Sequence, residues 1–306
     1  MAADAPSSTD RPDPRRLDEV AAARALRRMA AAAEAPWLHG EIARRLGERL
    51  TPMRAEPSRI VDWWATTGAG AAVLRAAYPR ARIVAVEAAP ALSVVATRSK
   101  QRPWWSLGRS PSAPPLADDA SDADIGTGQL VWANMALHLV RDPPALFARW
   151  HGLLEVDGVC VFSCLGPGTL GELRALYAEC GWTAPTPAFI DMHDLGDMMV
   201  RAGFAEPVLD QETLTLRWPN AEALLAELSL LGGNTAPDRF AGLRTPRWRR
   251  RLLDALGRRA GADGRIALSV EVAYGHGFKA APRRGAGEPV AVPLETMREM
   301  VRRPRR

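Results

Sequence analysis

Residues 62–70 read DWWATTGAG and stand between a short apolar stretch and an alanine-rich, helix-prone one. The preceding RIVDWW, 59–64, predicts a short buried strand, and the following AGAAVLRAAYP, 69–79, predicts a helix that a proline ends. A turn of this kind meets a bound ligand with bare backbone, which is why it favours glycine. Here two tryptophans stand where a side chain would prevent the backbone from approaching a ligand. The stretch therefore raises the question whether this turn binds a ligand.

Strand and helix patterns alternate along the rest of the chain. Apolar runs predict further strands at 81–90, 129–135, 159–166, 207–218 and 266–280. Helical spacing of apolar residues predicts helices at 91–100, 143–158, 169–181, 193–204, 220–233 and 247–261, whereas 101–125 shows no clear strand. This alternation is typical of a parallel sheet covered on both faces. We therefore expect an α/β fold: a Rossmann-like, doubly wound, mostly parallel sheet over 59–280, with an N-terminal helical cap over 17–50.

Two local signals refine the helix ends. Gly158 should end the helix that begins near residue 143. Thr169 and Glu172 have the spacing of a capping box, which predicts that Thr169 is the N-cap of the next helix.

Two groups of residues resemble metal ligands only at first sight. Asp191, His193 and Asp194 precede an apolar helix, so we interpret the acids as its N-cap and first turn. Cys160 and Cys164 lie on one face of a predicted strand, where buried thiols behave as small hydrophobes. We therefore expect no metal site.

Composition and charge limit the classes of function that the chain can have. Hydrophobic residues make up 47% of the 306 residues, and no segment has the roughly 18 uninterrupted apolar residues of a membrane span. Residues 1–16 lack the apolar core of a secretory signal and predict a disordered leader, and 281–306 predict a disordered or partly helical tail. We expect one cytoplasmic domain over 17–280 that is not bound to membranes.

The net charge of +5 comes almost entirely from arginine, because lysine occurs only at Lys100 and Lys279. Because this composition is rich in arginine and poor in lysine, the positive net charge is weak evidence for nucleic-acid binding. A motif in which basic residues are interleaved with aromatic ones, as in nucleic-acid-binding proteins, is not evident. We therefore expect no nucleic-acid partner. The run RTPRWRRRLLDALGRR, 244–259, forms either a solvated helix face or a docking site for an acidic partner.

The candidate chemistry lies where the first two strands end. In doubly wound sheets, ligands bind beyond the carboxyl ends of the strands. Asp62 opens the first turn, and Glu87 ends the second strand in the position of an acid that binds ribose hydroxyls. Dinucleotide enzymes need G-x-G-x-x-G, whereas only Gly68 and Gly70 are present, so a nicotinamide oxidoreductase is disfavoured.

S-adenosylmethionine enzymes instead need an acid followed by glycines at alternate positions. The frame D-x-W-x-T-x-G fits this pattern, with Trp64 and Thr66 in two glycine places and Gly68 retained. The indole of Trp64 either fills part of the cofactor volume or packs away from it, and the sequence leaves both alternatives open.

Three later segments resemble one known family. They are VWANMALHLVRDPPALFARWHGLLEVDGVCVFSCLGPGTLGELR, 131–174; FIDMHDLGDMMVRAGFAEPVLDQETLTLRW, 189–218; and VAYGHGFK, 272–279. On these motifs the chain resembles class I S-adenosylmethionine-dependent methyltransferases, and among them the malonyl-acyl-carrier-protein O-methyltransferases of biotin synthesis. The resemblance implies S-adenosylmethionine as cofactor and methyl transfer to the free carboxyl of a malonyl thioester on an acidic acyl-carrier protein, or to a small carboxylate.

The resemblance also assigns residues to the site. It implies that S-adenosylmethionine is bound by Asp62, Trp64, Gly68, Gly70, Glu87 and Asn134, with Asn134 beside the methionine moiety. His138 matches a position that faces the acceptor. Two features of the family, an acidic Asp-Ala turn after a third strand and an N-terminal Tyr-Asp motif, are not evident in this sequence.

The closing strand supplies a further candidate. Tyr274 and His276 alternate there, so both point to one face, and Gly275 and Gly277 allow a close approach to a ligand. We take His138 and Tyr274 as the candidate catalytic residues. A carboxylate acceptor is already ionised at neutral pH, so catalysis depends on position rather than on a strong base. The alternative is a non-catalytic descendant that keeps the fold as a binding or regulatory module.

Overall fold

A computed structural model describes residues 17–32, 34–51, 53, 56–88 and 126–281. The predicted leader, the predicted helix at 91–100, the segment 101–125 and all but the first residue of the predicted tail lie outside these residues.

Six strands form one sheet in the order β2-β1-β3-β4-β6-β5. They are β1 (Arg59–Trp63), β2 (Arg82–Val86), β3 (Gly128–Ala133), β4 (Leu154–Leu165), β5 (Phe204–Trp218) and β6 (Ile266–Lys279). The first four in this order are parallel, and β6 is antiparallel to both of its neighbours. The mostly parallel, Rossmann-like sheet is thus confirmed. The strand order reverses at β1, so its carboxyl end lies at the position where such sheets bind ligands.

The described helices flank this sheet. They are α1 (Glu19–Ala31), α2 (Trp37–Glu48), the single turn α3 (Ala65–Gly68), α4 (Ala71–Ala77), α5 (Pro143–Leu153), α6 (Gly171–Glu179), α7 (Met192–Arg201), α8 (Ala221–Leu230) and α9 (Pro246–Gly257). Pro36 is the N-cap of α2 and lies between the two N-terminal helices, as expected of a residue that lacks a backbone donor.

The two faces of the sheet are buried by different helices. On one face, Phe147 and Trp150 of α5 pack edge-on against each other, and the ring of Phe147 also meets Phe162 of β4. On the other face, Leu38 and Ile42 of α2 belong to the buried cluster that covers β1, β3, β4 and β6. Burial of apolar side chains on both faces fixes the sheet, and with it the ends of the strands.

The helix predicted over 143–158 is shorter than expected. It ends at Leu153, and β4 begins at Leu154, which pairs with Gly128 of β3. Gly158 does not end a helix: a Cβ there would lie 2.9 Å from the carbonyl oxygens of Glu155 and Gly128. Close approach of neighbouring strands, and not a helix end, is therefore the reason for this glycine.

The predicted capping box at Thr169 is wrong. The Thr169 hydroxyl donates to the carbonyl oxygen of Glu271 at 2.9 Å and accepts from its N–H at 3.1 Å. Glu172 accepts from the N–H and hydroxyl of Ser269 at 3.1 and 2.6 Å. Both side chains tie α6 to β6, and Leu170, in the left-handed region with φ 54°, precedes the helix instead.

Other local predictions are confirmed. Asp191 is the N-cap of α7 and accepts from the N–H of His193, and Asp194 lies in the first turn. Cys160 and Cys164 are buried in the same cluster, and burial raises the pKa of both thiols.

Across the described ranges, no helix is both long and apolar enough to span a bilayer.

Candidate active site

The turn after β1 keeps a backbone shape that favours glycine. Trp64 lies in the left-handed region with φ 55° and ψ 48°, and Ala69 does so with φ 57° and ψ 17°. This region costs a residue with a side chain about 1–2 kcal/mol. The Trp64 N–H donates to the Val86 carbonyl oxygen at 2.6 Å, which ties the turn to the end of β2. The turn therefore has, at Trp64 and Ala69, backbone conformations that glycine adopts more readily than other residues.

Glu87 lies directly after β2, is buried, and points at this turn. One of its carboxylate oxygens accepts from the Thr66 N–H at 3.1 Å and from the Thr66 hydroxyl at 2.6 Å. Thr66 occupies one of the places where the cofactor motif has glycine. Its hydroxyl therefore has no counterpart in that motif, and here it donates to Glu87, the acid predicted to bind ribose hydroxyls.

Asp62 is also buried but lies inside β1, where it is in register with Ala85 of β2 and Trp132 of β3. The turn itself begins two residues later. Asp62 and Glu87 therefore reach the same end of the sheet from neighbouring strands.

The indole of Trp64 is buried under the N-terminal cap. It belongs to the same buried cluster as Leu26, Met29 and Ala30 of α1 and Val86 of β2. Its ring is thus directed into packed protein and not to solvent. Removal of this side chain would open space between α1 and the turn.

Asn134 braces the turn with its side-chain amide. The amide nitrogen donates to the carbonyl oxygens of His39 and Gly68 at 2.8 and 2.6 Å, and the amide oxygen accepts from the Ser163 hydroxyl at 2.7 Å. Both hydrogens of the amide are used within the protein. Asn134 thereby joins α2, the turn, β3 and β4, which is a different role from the predicted contact with a methionine moiety.

His39 is a second buried brace. Its Nδ1 lies 2.7 Å from the carbonyl oxygen of Thr67, so Nδ1 carries the proton and donates. Burial lowers the pKa of His39 from 6.5 to about 4, and the bond to Thr67 offsets only part of this shift. The ring is therefore neutral at neutral pH.

The two retained glycines are explained by packing within the protein. A Cβ at Gly70 would clash with the indole of Trp132, and a Cβ at Gly68 would lie 3.2 Å from the carbonyl oxygen of Asn134. Both glycines let the turn lie closely against β3.

A cavity of about 360 Å³ lies beyond the ends of β3 and β4. Its lining includes the polar residues His138, Arg141 and Asp142, and most of the other lining residues are apolar, among them Phe189. The rings of His138 and Phe189 meet edge-on with centroids 6.3 Å apart. Arg141 forms an ion pair with Glu19 of α1. The lining of the cavity therefore includes His138, the residue predicted to face the acceptor, and Arg141, which is paired with the N-terminal cap.

His138 faces this cavity from a 3₁₀ turn, Leu137–Leu139. Burial, and then the neighbouring His39, lower the pKa of His138 to about 3. Its Nδ1 is buried, and none of the described residues offers it a hydrogen-bond partner. His138 is thus a neutral imidazole at the cavity wall.

The structure places Tyr274 away from His138. Its hydroxyl donates to Glu212 of β5, and the guanidinium of Arg49 lies 3.7 Å from its ring centroid. Burial and the hydrogen bond to Glu212 raise the pKa of the phenol. Arg45 of α2 donates to Glu212 at 2.7 Å. Tyr274 therefore belongs to a polar clamp between α2 and β5, and the geometry does not bring it to the cavity.

Sequence reasoning missed His39, Ser163, Thr66 and Arg141 as parts of the site. Only Thr66 had a usable signal, because it stands in a glycine place of the cofactor frame. The others act through contacts between residues 28 to 122 positions apart.

Comparison with known proteins agrees with the fold. No family model matches the chain. The malonyl-[acyl-carrier protein] O-methyltransferase of Laribacter hongkongensis is 37% identical over 252 residues, which are 80% of this chain and 84% of the relative. That of Gallionella capsiferriformans is 36% identical over 250 residues, with 80% and 85% covered. The YcgJ protein of Bacillus subtilis shares the fold, with a TM-score of 0.50, 12% identity, and coverage of 78% of this chain and 98% of that one.

Sheet order, the turn after β1 and the acid after β2 define a Rossmann-like protein of the class I methyltransferase type. The chain belongs to the malonyl-[acyl-carrier protein] O-methyltransferase family, because relatives at least 30% identical match it over most of their length.

The Asn134 brace predicts a large effect of a small change. Asn134→Asp keeps the shape but cannot donate, so two buried carbonyl oxygens lose their partner. We expect the free energy of unfolding to fall by about 2–5 kcal/mol, measured by urea denaturation. Ser163→Ala removes the donor to Asn134 and one of two acceptors of the Met135 N–H, which keeps its bond to the Ser163 carbonyl oxygen at 3.0 Å. It should cost about 1 kcal/mol. Equal losses in the two variants would contradict the brace.

The buried His39 predicts a pH dependence of stability. Its folded pKa, about 4, is below the unfolded value of 6.5, so the unfolded chain binds the proton first. The stabilisation is complete above pH 6.5 and is lost as pH falls towards 4. His39→Asn retains a donor for Thr67 and does not titrate. Urea denaturation at several pH values should show a shallower loss in this variant, and an unchanged slope would refute the assignment.

Proposed function

We propose that the chain is an S-adenosylmethionine-dependent methyltransferase that methylates the free carboxyl of a malonyl group on an acyl-carrier protein, a step of biotin synthesis. The observation that carries this proposal is the buried carboxylate of Glu87, directed at the turn after β1. Family membership supports the same chemistry. Its location in the cytoplasm and the absence of a nucleic-acid partner stay predictions.

Two features of the turn fit S-adenosylmethionine, namely its backbone conformation and the buried acid beside it. A third feature, the presence of two side chains in glycine places, reduces the space for the cofactor. The backbone at Trp64 and Ala69 retains the left-handed conformations of a glycine-rich turn, and Glu87 offers a buried carboxylate for sugar hydroxyls. The side chains of Trp64 and Thr66 occupy space that glycine would leave open. We propose that Glu87, Asp62 and the backbone from Trp64 to Gly70 hold the cofactor, which supplies an activated methyl group.

The cavity fits the acceptor. Apolar residues form much of its lining, and a carboxylate that loses part of its water there would be a stronger nucleophile. A neutral His138 can donate one hydrogen bond to a carboxylate oxygen and orient it without giving up its proton. Arg141 is paired only with an exposed acid, and such pairs contribute about 0–1 kcal/mol, so a substrate carboxylate can replace Glu19.

These parts define a mechanism based on positioning. Bound S-adenosylmethionine would supply the methyl group and would be converted to S-adenosylhomocysteine, and the residues of the turn and the cavity would hold the acceptor carboxylate in line with it. The acceptor needs no deprotonation at neutral pH, so the described residues have only to align and desolvate it. The absence of a charged base at His138 is consistent with this requirement, since its pKa is lowered to about 3.

A second candidate function is a non-catalytic binding module. The observation that favours it is the bond from Thr66 to Glu87, which closes the turn internally, together with the burial of the Trp64 indole. In this alternative the fold and the partner surface are kept, but the cofactor is not bound.

An assay of methyl transfer separates the two candidates. The purified full-length chain, S-adenosylmethionine and a malonyl-acyl-carrier protein should give a carrier that gains one methyl group, detected by mass spectrometry of the intact carrier. Acetyl-acyl-carrier protein, which has no free carboxyl, is the matched control and should remain unmodified. An unmodified malonyl carrier would favour the binding module.

Trp64 predicts a gain of function. Trp64→Gly relieves the left-handed strain and empties the volume that the indole fills next to the turn, so affinity for S-adenosylmethionine should rise by about tenfold, measured by calorimetry. Trp37→Gly removes an indole that is 50% exposed at the start of α2 and serves as control, with unchanged affinity expected. Weaker binding by the Trp64 variant would show that the indole supports the cofactor and does not restrict it.

A further inference from the structure

The most basic helix of the described chain is α9, which carries four arginines and one aspartate. Arg247, Arg250 and Arg251 stand at positions i, i+3 and i+4, so they share one face of the helix. Arg244 lies just before the helix. We call these four residues the basic face.

The charge of the basic face does not stabilise its helix. Positive side chains near a helix N-terminus and like charges at i, i+4 are both unfavourable. The first turn of α9 contains no acid, and none of the four arginines has a described carboxylate within ion-pair distance. By contrast, Arg44, Arg45 and Arg49 of α2 or its C-cap all pair with acids.

Aromatic rings hold two of these arginines in place. The guanidinium of Arg244 lies 4.3 Å from the ring centroid of Trp248, and that of Arg251 lies 5.8 Å from that of Trp182. The two tryptophan rings pack on each other at 5.2 Å. Stacking of this kind lowers the entropy that an arginine loses on binding a partner.

An apolar patch adjoins the basic face. Leu243 is 97% exposed and Phe240 is 47% exposed. Arg244 covers part of the Phe240 ring at 3.9 Å. Apolar side chains next to arginine are typical of protein–protein interfaces, whereas a face used only for solvation needs no exposed leucine.

The basic face is also close to the cavity. Arg244 donates to the Thr183 hydroxyl at 3.3 Å, and Asn234 fixes the next residue by donating to the Ala184 carbonyl oxygen at 2.7 Å. Pro187, four residues after Thr183, lines the cavity. Four peptide units span at most about 15 Å, so a partner on the basic face can deliver a tethered group to the cavity.

We propose that the basic face, together with Leu243, docks the acidic carrier protein that brings the malonyl thioester to the cavity. This inference rests on the proposed function, which supplies an acidic partner with a tethered substrate. Charge complementarity sets the orientation of the carrier, and the apolar patch contributes contact area.

Charge reversal on one helix tests the proposal. Arg250→Glu changes the basic face, whereas Arg249→Glu changes the neighbouring residue, which points about 100° away. We expect the Kd for malonyl-acyl-carrier protein, measured by fluorescence anisotropy, to rise by about tenfold in Arg250→Glu and by less than about twofold in Arg249→Glu. Arg247→Glu should repeat the first result, and unchanged circular dichroism spectra verify folding.

The same variants separate docking from catalysis. Methylation of a small malonyl thioester that lacks the carrier protein should be equal in all three variants and the wild type. Equal Kd values for Arg249→Glu and Arg250→Glu would overturn the docking surface. If the wild type binds the carrier through the basic face but methylates neither substrate, the docking surface stands and the proposed enzymatic function fails.

Discussion

The hydrogen bonds from Thr66 to Glu87 are the constraint on which the site depends. They join the turn after β1 to the residue after β2, at the point where the strand order reverses. Because one of these donors is a side chain in a glycine place of the cofactor motif, the turn itself supplies a hydroxyl to the acid that is proposed to bind the sugar of the cofactor. Any ligand at this position must share Glu87 with Thr66 or displace it.

The N-terminal cap connects this turn to the acceptor cavity. Helix α1 covers Trp64 with its apolar face and presents Glu19 to Arg141 at the cavity. Helix α2 contributes His39, which binds the turn, and receives a bond from Asn134. The cap is therefore part of the site, and movement of α1 would affect both the space beside the turn and the entrance to the cavity.

The sequence predicted the sheet because its strands are apolar runs separated by helices, and this pattern is local. Predictions failed where a residue serves a distant partner: Gly158 lies against Gly128, and Thr169 binds Glu271. The catalytic role of Tyr274, whose hydroxyl donates to Glu212, stays a prediction. Glu87 was predicted from its place after a strand, but its bond to Thr66 could not be, since a threonine in a glycine place gives no direction for its hydroxyl. Asn134 was identified as a site residue, yet its partners in α2 and β4 depend on the packed fold.

Binding of S-adenosylhomocysteine, the product of methyl transfer, tests the central claim most directly. Isothermal titration calorimetry of the wild-type chain should give a dissociation constant in the micromolar range. Glu87→Gln, which keeps the shape and removes the negative charge, should weaken this binding by about tenfold. Absence of heat with millimolar ligand, or equal affinity in the two proteins, would contradict the account of Glu87 as the residue that holds the cofactor.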